Sequence, residues 1–201
     1  MSKGILFSQP MYAAVVSGTK TMTRRLIKPQ PKYKYFVDFI ADYGIIAHHG
    51  DTPDERQRLK PRYLPGEVVY LKEPYCPTFV DEESDEIKKI LYKYDGIYYE
   101  IEKYRLWCNK MFMPEKYARH FIEITSVKAE RLQNISDSDC EAEGIVPEWQ
   151  NGFVIGWRNK TDGITYEKRQ QAFAALWDII HKKDKWDTNP WIWRYELSLK
   201  K

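Results

Sequence analysis

The run HFIEITSVKAERL, His120 to Leu132, constrains this chain more than any other stretch: Phe121, Glu123, Thr125 and Val127 alternate with Ile122, Ile124 and Ser126. A two-residue period is that of a strand with one buried face, and such a strand needs neighbours to pair or cover its edges. Neighbours are visible in the sequence. PGEVVYLKEPY places a Pro65-Gly66 turn before a buried strand from Val68 to Leu71, and the closing WIWRYELSL alternates aromatic or apolar with polar residues. ILYKY and IYYEI flank Asp95-Gly96, a two-residue turn signal that predicts a hairpin over Ile90 to Trp107.

Three helices are expected beside these strands. SQPMYAAVVSG has Ser8 or Gln9 as a cap, Pro10 at the first helical position and Gly18 as a left-handed stop. Ser136 opens a second short helix with acids in its first turn and Gly144 at its end. In TYEKRQQAFAALWDIIHK, Phe173, Leu176, Trp177 and Ile180 recur at helical spacing, so this longest helix presents an apolar face. KPQPKYKYF leads into an extended segment, while Asp51 to Pro65 and the acidic DEESDE read as loops. The sum is an α+β fold centred on a curled mixed sheet or small β-barrel with flanking helices.

A chain of 201 residues suits one domain with insertions. No stretch approaches the ~18 consecutive apolar residues of a bilayer span, and MSKGILFSQP lacks the apolar run of a secretory signal. A cytoplasmic protein without a membrane partner is expected. Cys76, Cys108 and Cys140 are odd in number and never form a CxxC pair, which argues for reduced thiols. His48, His49, His120 and His181 make no metal constellation with them, so neither a metal nor another cofactor is expected. No nucleophile-elbow pattern is present.

Charge is distributed unevenly. Before Asp38 the chain carries Lys3, Lys20, Arg24, Arg25, Lys28, Lys32 and Lys34 without an acid, a local +7 in a chain of net charge +3. Such asymmetry focuses positive potential and draws anions such as phosphates, unless it is only a solvated face. Within it, GTKTMTRR follows the first helix directly.

Three landmarks stand in order: GTKTMTRR, then PGEVVYLKE on a strand, then ISDSDCEAEGI on a short helix after the FIEITSVKAERL strand. With the closing Trp186-to-Trp193 segment they resemble the ASCH superfamily, the activating-signal-cointegrator homology domains with a PUA-like β-barrel, and in particular its longer phage- and bacteria-associated members. The match runs over almost the whole chain, as a single domain over 1–201 with insertions near 30–62, 76–112 and 145–170. The resemblance implies RNA or nucleotide binding. It also implies kinship with a small bacterial amidohydrolase that removes the acyl group from the exocyclic amine of acetylcytidine with a Lys, a Thr and a Glu. Carried onto this sequence, these roles fall on Lys20 as general base, Thr23 as nucleophile and Glu143 as proton donor.

The chemistry sets its own conditions. A threonine hydroxyl needs a base, and a lysine serves only where burial or cationic neighbours such as Arg24 and Arg25 lower its pKa. In an ideal strand Lys20 and Thr23 would face opposite ways, so the exit from Gly18 has to be bent for them to cooperate. Glu143 either protonates a departing amine or holds Lys20 as an ion pair. Glu73 either anchors Arg25 or orients a base edge. Arg24, Arg25, Glu73, Asn189 and Trp191 are the candidate substrate-binding residues, with Trp191 as a stacking surface in the closing loop. Two further readings stay open, a non-catalytic RNA-binding module and a ribonuclease.

Overall fold

A computed structural model describes residues 3–31, 35–41, 44–48, 56–79, 87–95 and 107–200. In chain order the elements are β1 (Gly4–Leu6), α1 (Gln9–Val16), β2 (Met22–Leu26), β3 (Tyr35–Ala41), β4 (Gly44–His48), β5 (Arg56–Leu59), β6 (Val68–Lys72), β7 (Tyr75–Phe79) and β8 (Ile87–Tyr92). Then follow β9 (Phe121–Arg131), α2 (Asp137–Ala142), β10 (Val146–Gln150), β11 (Phe153–Arg158), β12 (Thr165–Tyr166), α3 (Arg169–Ile180) and β13 (Trp191–Lys200). Among the described residues the fold is mixed α+β, mostly sheet with three α-helices. No helix among the described residues is long and apolar enough to cross a membrane.

The five-stranded central sheet has the order β1-β6-β9-β13-β2, with β1 parallel to β6 and every other pair antiparallel. β9 and β13 are its long spine, paired from Trp191↔Arg131 to Lys200↔Phe121. Among the described residues the sheet does not close into a barrel, because β1 and β2 remain its two edges. A side chain spans the gap instead: Arg25 on β2 donates from Nη2 to the Leu6 carbonyl on β1 at 2.7 Å, and its guanidinium lies over the Phe7 ring.

One detail of β9 departs from simple alternation. Ser126 pairs with Glu196 and Ile124 with Leu197, which leaves Thr125 as the extra residue of a bulge. Val127 therefore lies on the buried side with Ile122 and Ile124, whereas unbroken alternation would put it on the other face.

Three smaller antiparallel sheets complete the structure: β3-β4-β5, β7-β8 and β10-β11-β12. Each falls in one of the segments read as insertions. The stretch expected to be a loop from Asp51 to Pro65 contains β5, which pairs with β4 from Ile45↔Leu59 to His48↔Arg56. The Asp95-Gly96 hairpin takes a different form in its described half. β8 pairs with β7, and Lys93–Asp95 forms a 3-10 turn. The second arm of that expected hairpin, and DEESDE, lie outside the described residues.

The core forms between the central sheet and two helices. Ile5, Leu71, Ile122, Ile124 and Ile192 pack against Met11, Tyr12 and Val15 of α1 and Phe173, Leu176 and Trp177 of α3. α3 starts at Arg169, later than the Thr165 start of the stretch expected to be helical, because Thr165 and Tyr166 are drawn into pairing with β11.

Candidate functional site

The GTKTMTRR segment is built in two parts. Gly18 adopts a φ of +76°, the left-handed conformation that glycine tolerates, and turns the chain off α1. The Lys20 amide then donates to the Ala14 carbonyl and the Thr21 amide to that of Ala142, so Lys20 precedes the strand and Thr23 lies within it. This is the bend that the chemistry required. It frees the Lys20 side chain from strand alternation with Thr23, and both side chains line one cavity of about 240 Å³.

Glu143 reaches the same cavity from the other side. It is the C-terminal cap of α2, where a carboxylate opposes the helix dipole and needs partners elsewhere. Those partners are present. Lys20 Nζ donates to the Glu143 carbonyl at 2.8 Å and to its Oε2 at 2.5 Å, and Arg24 Nη1 donates to its Oε1 at 3.2 Å. Lys20, Thr23, Arg24 and Glu143 are all buried. Burial pushes the Lys20 pKa down, the Glu143 carboxylate opposes that shift, and the charges of Arg25 and Arg24 add to it.

Arg24 anchors this arrangement. Its guanidinium meets Glu130 at 2.8 Å, Asp139 at 2.5 Å and Glu143 at 3.2 Å, and lies over the Phe173 ring. Burial disfavours its charge, but these carboxylates outweigh that and raise its pKa further. Arg25 also lines the cavity, and its buried Nε has no hydrogen-bond partner among the described residues.

The cavity thus gathers Lys20, Thr23, Arg24, Arg25 and Glu143. The other three predicted residues lie elsewhere. Glu73 is fully buried and is held by Arg119 at 2.7 and 2.8 Å and by the Tyr12 hydroxyl, so its cation is Arg119 and not Arg25. Asn189 takes a left-handed φ of 42° in the closing turn, where its carbonyl accepts from Arg131 and its Oδ1 from the Gln133 amide. Trp191 lies under the Arg131 guanidinium at 4.5 Å and borders a separate hollow with Lys128, Ser136 and Arg194.

Sequence reasoning missed the cavity's aromatic wall. Phe173, Trp177 and His181 occupy successive i, i+4, i+8 positions at the end of α3, and all three line the cavity. Trp177 and His181 stack with ring centres 4.0 Å apart. Burial, with help from Arg25, lowers the His181 pKa. The available signal was the apolar stripe running on into a titratable residue. Lys110 also borders the cavity, donating to the Phe7 carbonyl at 2.8 Å, and burial lowers its pKa.

The arrangement has the parts for acyl chemistry: a buried hydroxyl, an amine with depressed basicity, a carboxylate in contact with that amine, and two guanidiniums. Comparison with known proteins returns no match to a family model, a curated protein or a solved structure.

Proposed function

We propose that this chain is an ASCH-type amidohydrolase that cleaves the amide of an acylated cytosine-type base. The observation that carries the reading is the contact of the buried Lys20 amine with Glu143 in a cavity that Thr23 also lines. The cavity, at about 240 Å³, is smaller than the ~300–1,000 Å³ usual for drug-sized ligands. That favours a single nucleobase over a larger ligand. An aromatic wall supports stacking of such a ring. The ordered sequence landmarks, and a five-stranded central sheet whose edge strands Arg25 links, support the PUA-like resemblance. Three free cysteines suit a reducing, cytoplasmic setting.

In this mechanism the Thr23 Oγ adds to the acyl carbonyl carbon while neutral Lys20 takes its proton. Arg24 and Arg25 stabilise the negative oxygen of the tetrahedral adduct. The carbon–nitrogen bond then breaks, and the departing exocyclic amine receives a proton through Glu143. Water cleaves the resulting threonyl ester, releasing the carboxylic acid and restoring the hydroxyl. Only the Thr23–acyl bond is made and later broken; the amide carbon–nitrogen bond is replaced by the acid's carbon–oxygen bond and the amine's nitrogen–hydrogen bond, and water is the one co-substrate required.

Incubation with an acylated cytidine should release free cytidine, followed chromatographically. Lys20→Ala and Thr23→Ala should each lower kcat by about 10²–10⁴-fold, the range of an acid–base or nucleophilic contribution. Because Lys20 acts as the free amine, the rate should rise with pH with a midpoint below the ordinary lysine value of 10.5. An inactive wild-type protein across a panel of acylated nucleosides would end the proposal.

A further inference from the structure

The cations that line the candidate cavity are of two kinds. Lys20 and Arg24 are paired: both meet Glu143, and Arg24 also meets Glu130 and Asp139. Arg25 and Lys110 form no ion pair among the described residues. Glu143 is the one carboxylate among the described lining residues, and both of its oxygens are already taken by Lys20 and Arg24.

Neutral groups at the end of β1 hold the two unpaired cations. Arg25 Nη2 donates to the Leu6 carbonyl at 2.7 Å, its guanidinium lies over the Phe7 ring, and its buried Nε has no partner among the described residues. Lys110 Nζ donates to the Phe7 carbonyl at 2.8 Å and to the Tyr94 hydroxyl at 3.3 Å. An ammonium has three donors, so one remains for a ligand. Burial lowers the Lys110 pKa, and no carboxylate counters that shift. A partly buried cation without a counter-charge carries a desolvation cost that an anionic ligand would offset.

An acetyl group has only its carbonyl oxygen to offer, and that oxygen is met by Arg24 and Arg25. A second, charged group on the substrate would give Lys110 its missing partner. Size says where that group lies. The cavity of about 240 Å³ takes a base and a short acyl group but falls below the ~300–1,000 Å³ of sites for larger ligands, so a phosphate beyond the ribose would lie outside it. The charge therefore belongs on the acyl group.

We propose that the preferred substrate carries a short acyl group ending in a carboxylate, and that Lys110 binds this carboxylate and so determines acyl specificity. The inference rests on the amidohydrolase reading for the reaction, while the unpaired cations are independent of it. Hydrolysis then consumes one water and releases the free amine of the base and a dicarboxylic acid.

The test uses cytidines with malonyl, succinyl or glutaryl on the exocyclic amine, each against its terminal carboxamide, which matches it in size but not in charge. Acetylcytidine and its 5′-phosphate are included. In the wild type, kcat/KM should favour at least one carboxylate over its carboxamide by ~10-fold or more, the worth of one hydrogen bond to a charged group. Lys110→Gln keeps a donor for the Phe7 carbonyl but removes the charge. It should bring that ratio to within about threefold while leaving kcat/KM for acetylcytidine within about twofold of wild type and the melting temperature unchanged. Lys110→Arg, which keeps the charge, should retain most of the preference. No preference at any chain length, or an equal loss on acetylcytidine and the acidic substrates in Lys110→Gln, would overturn the proposal. So would a gain from the 5′-phosphate that Lys110→Gln abolishes, since the recognised anion would then be on the sugar. Binding is read separately in Thr23→Ala, which leaves the ligands intact: the carboxylate should raise the melting temperature more than its carboxamide, and adding Lys110→Gln should cancel the difference. If the wild type hydrolyses no acylated cytidine but this difference holds, the amidohydrolase reading fails and the anion site alone stands. Hydrolysis of acetylcytidine without the difference rejects the anion site and leaves the amidohydrolase.

Discussion

Arg24 has a side chain with no solvent exposure, and its guanidinium lies among Glu130, Asp139 and Glu143. A cation so placed loses its hydration and recovers that loss through short contacts; once it is removed, three buried or partly buried carboxylates face one another. Arg24→Met should therefore destabilise the protein by about 3–5 kcal/mol in urea denaturation, the cost of breaking a buried ion pair by deleting one partner. Arg24→Lys keeps the charge but not the planar fork, and should recover only part of the loss. The neighbouring Arg25 has a different fate on the same strand, reaching across the sheet edge to Leu6. In sequence the two arginines look equivalent, and nothing local tells which one meets the carboxylates. That distinction depends on α2, more than a hundred residues later, packing against β2.

Among elements, α2 decides where the candidate proton donor sits. Ser136 caps its start by accepting from the Asp139 amide at 3.1 Å, and Gly144 ends it at a φ of +97°. A side chain at Gly144 has room, since its Cβ would meet Lys20 Cβ only at 3.7 Å, so the cost of substitution lies in the backbone. Gly144→Ala should cost about 1–2 kcal/mol from left-handed strain. It should also lower hydrolysis by displacing Glu143, whereas Gly144→Asn should lose less of both; paired melting and rate measurements check this. Both ends of α2 are legible in the sequence, as are the buried run of β6 and the alternation of β9 and β13. The β10–β11 hairpin carried an equally clear signal, Asn151-Gly152, both at positive φ, but it lay in a segment set aside as an insertion. The β9 bulge was not legible, since only the partner strand reveals that Thr125 is surplus. The site divided in the same way. Lys20, Thr23 and Glu143 follow from an ordered pattern, while Phe173, Trp177 and His181 depend on which way α3 faces.

At the scale of the whole molecule, several ionisable groups are buried in their neutral forms, and alkaline pH tests the packing that keeps them so. Burial pushes the Tyr195 pKa up to about 12 and that of Cys140 to about 12, and also raises those of Tyr12 and Tyr63. For each, the unfolded chain ionises first, so above its ordinary value the unfolded state binds fewer protons and stability falls as pH rises. Lys20 works in the opposite sense. Its lowered pKa means that the unfolded chain holds the extra proton, and stability grows as pH climbs toward 10.5. The four raised groups outnumber Lys20 and the likewise lowered Lys110, so the net course between about pH 10 and 12 should be a loss. Tyr195 is 1% exposed, and its hydroxyl accepts from the Arg62 amide at 3.2 Å. Tyr195→Phe should lower stability by about 1 kcal/mol at neutral pH through that lost hydrogen bond. The same change removes one titration, so by pH 12 the variant should have lost on the order of 2 kcal/mol less than wild type over the alkaline range. Urea denaturation across that range would show the two stability curves crossing, with the variant the more stable by pH 12; parallel curves would mean that Tyr195 ionises as readily in the folded chain as in the unfolded one.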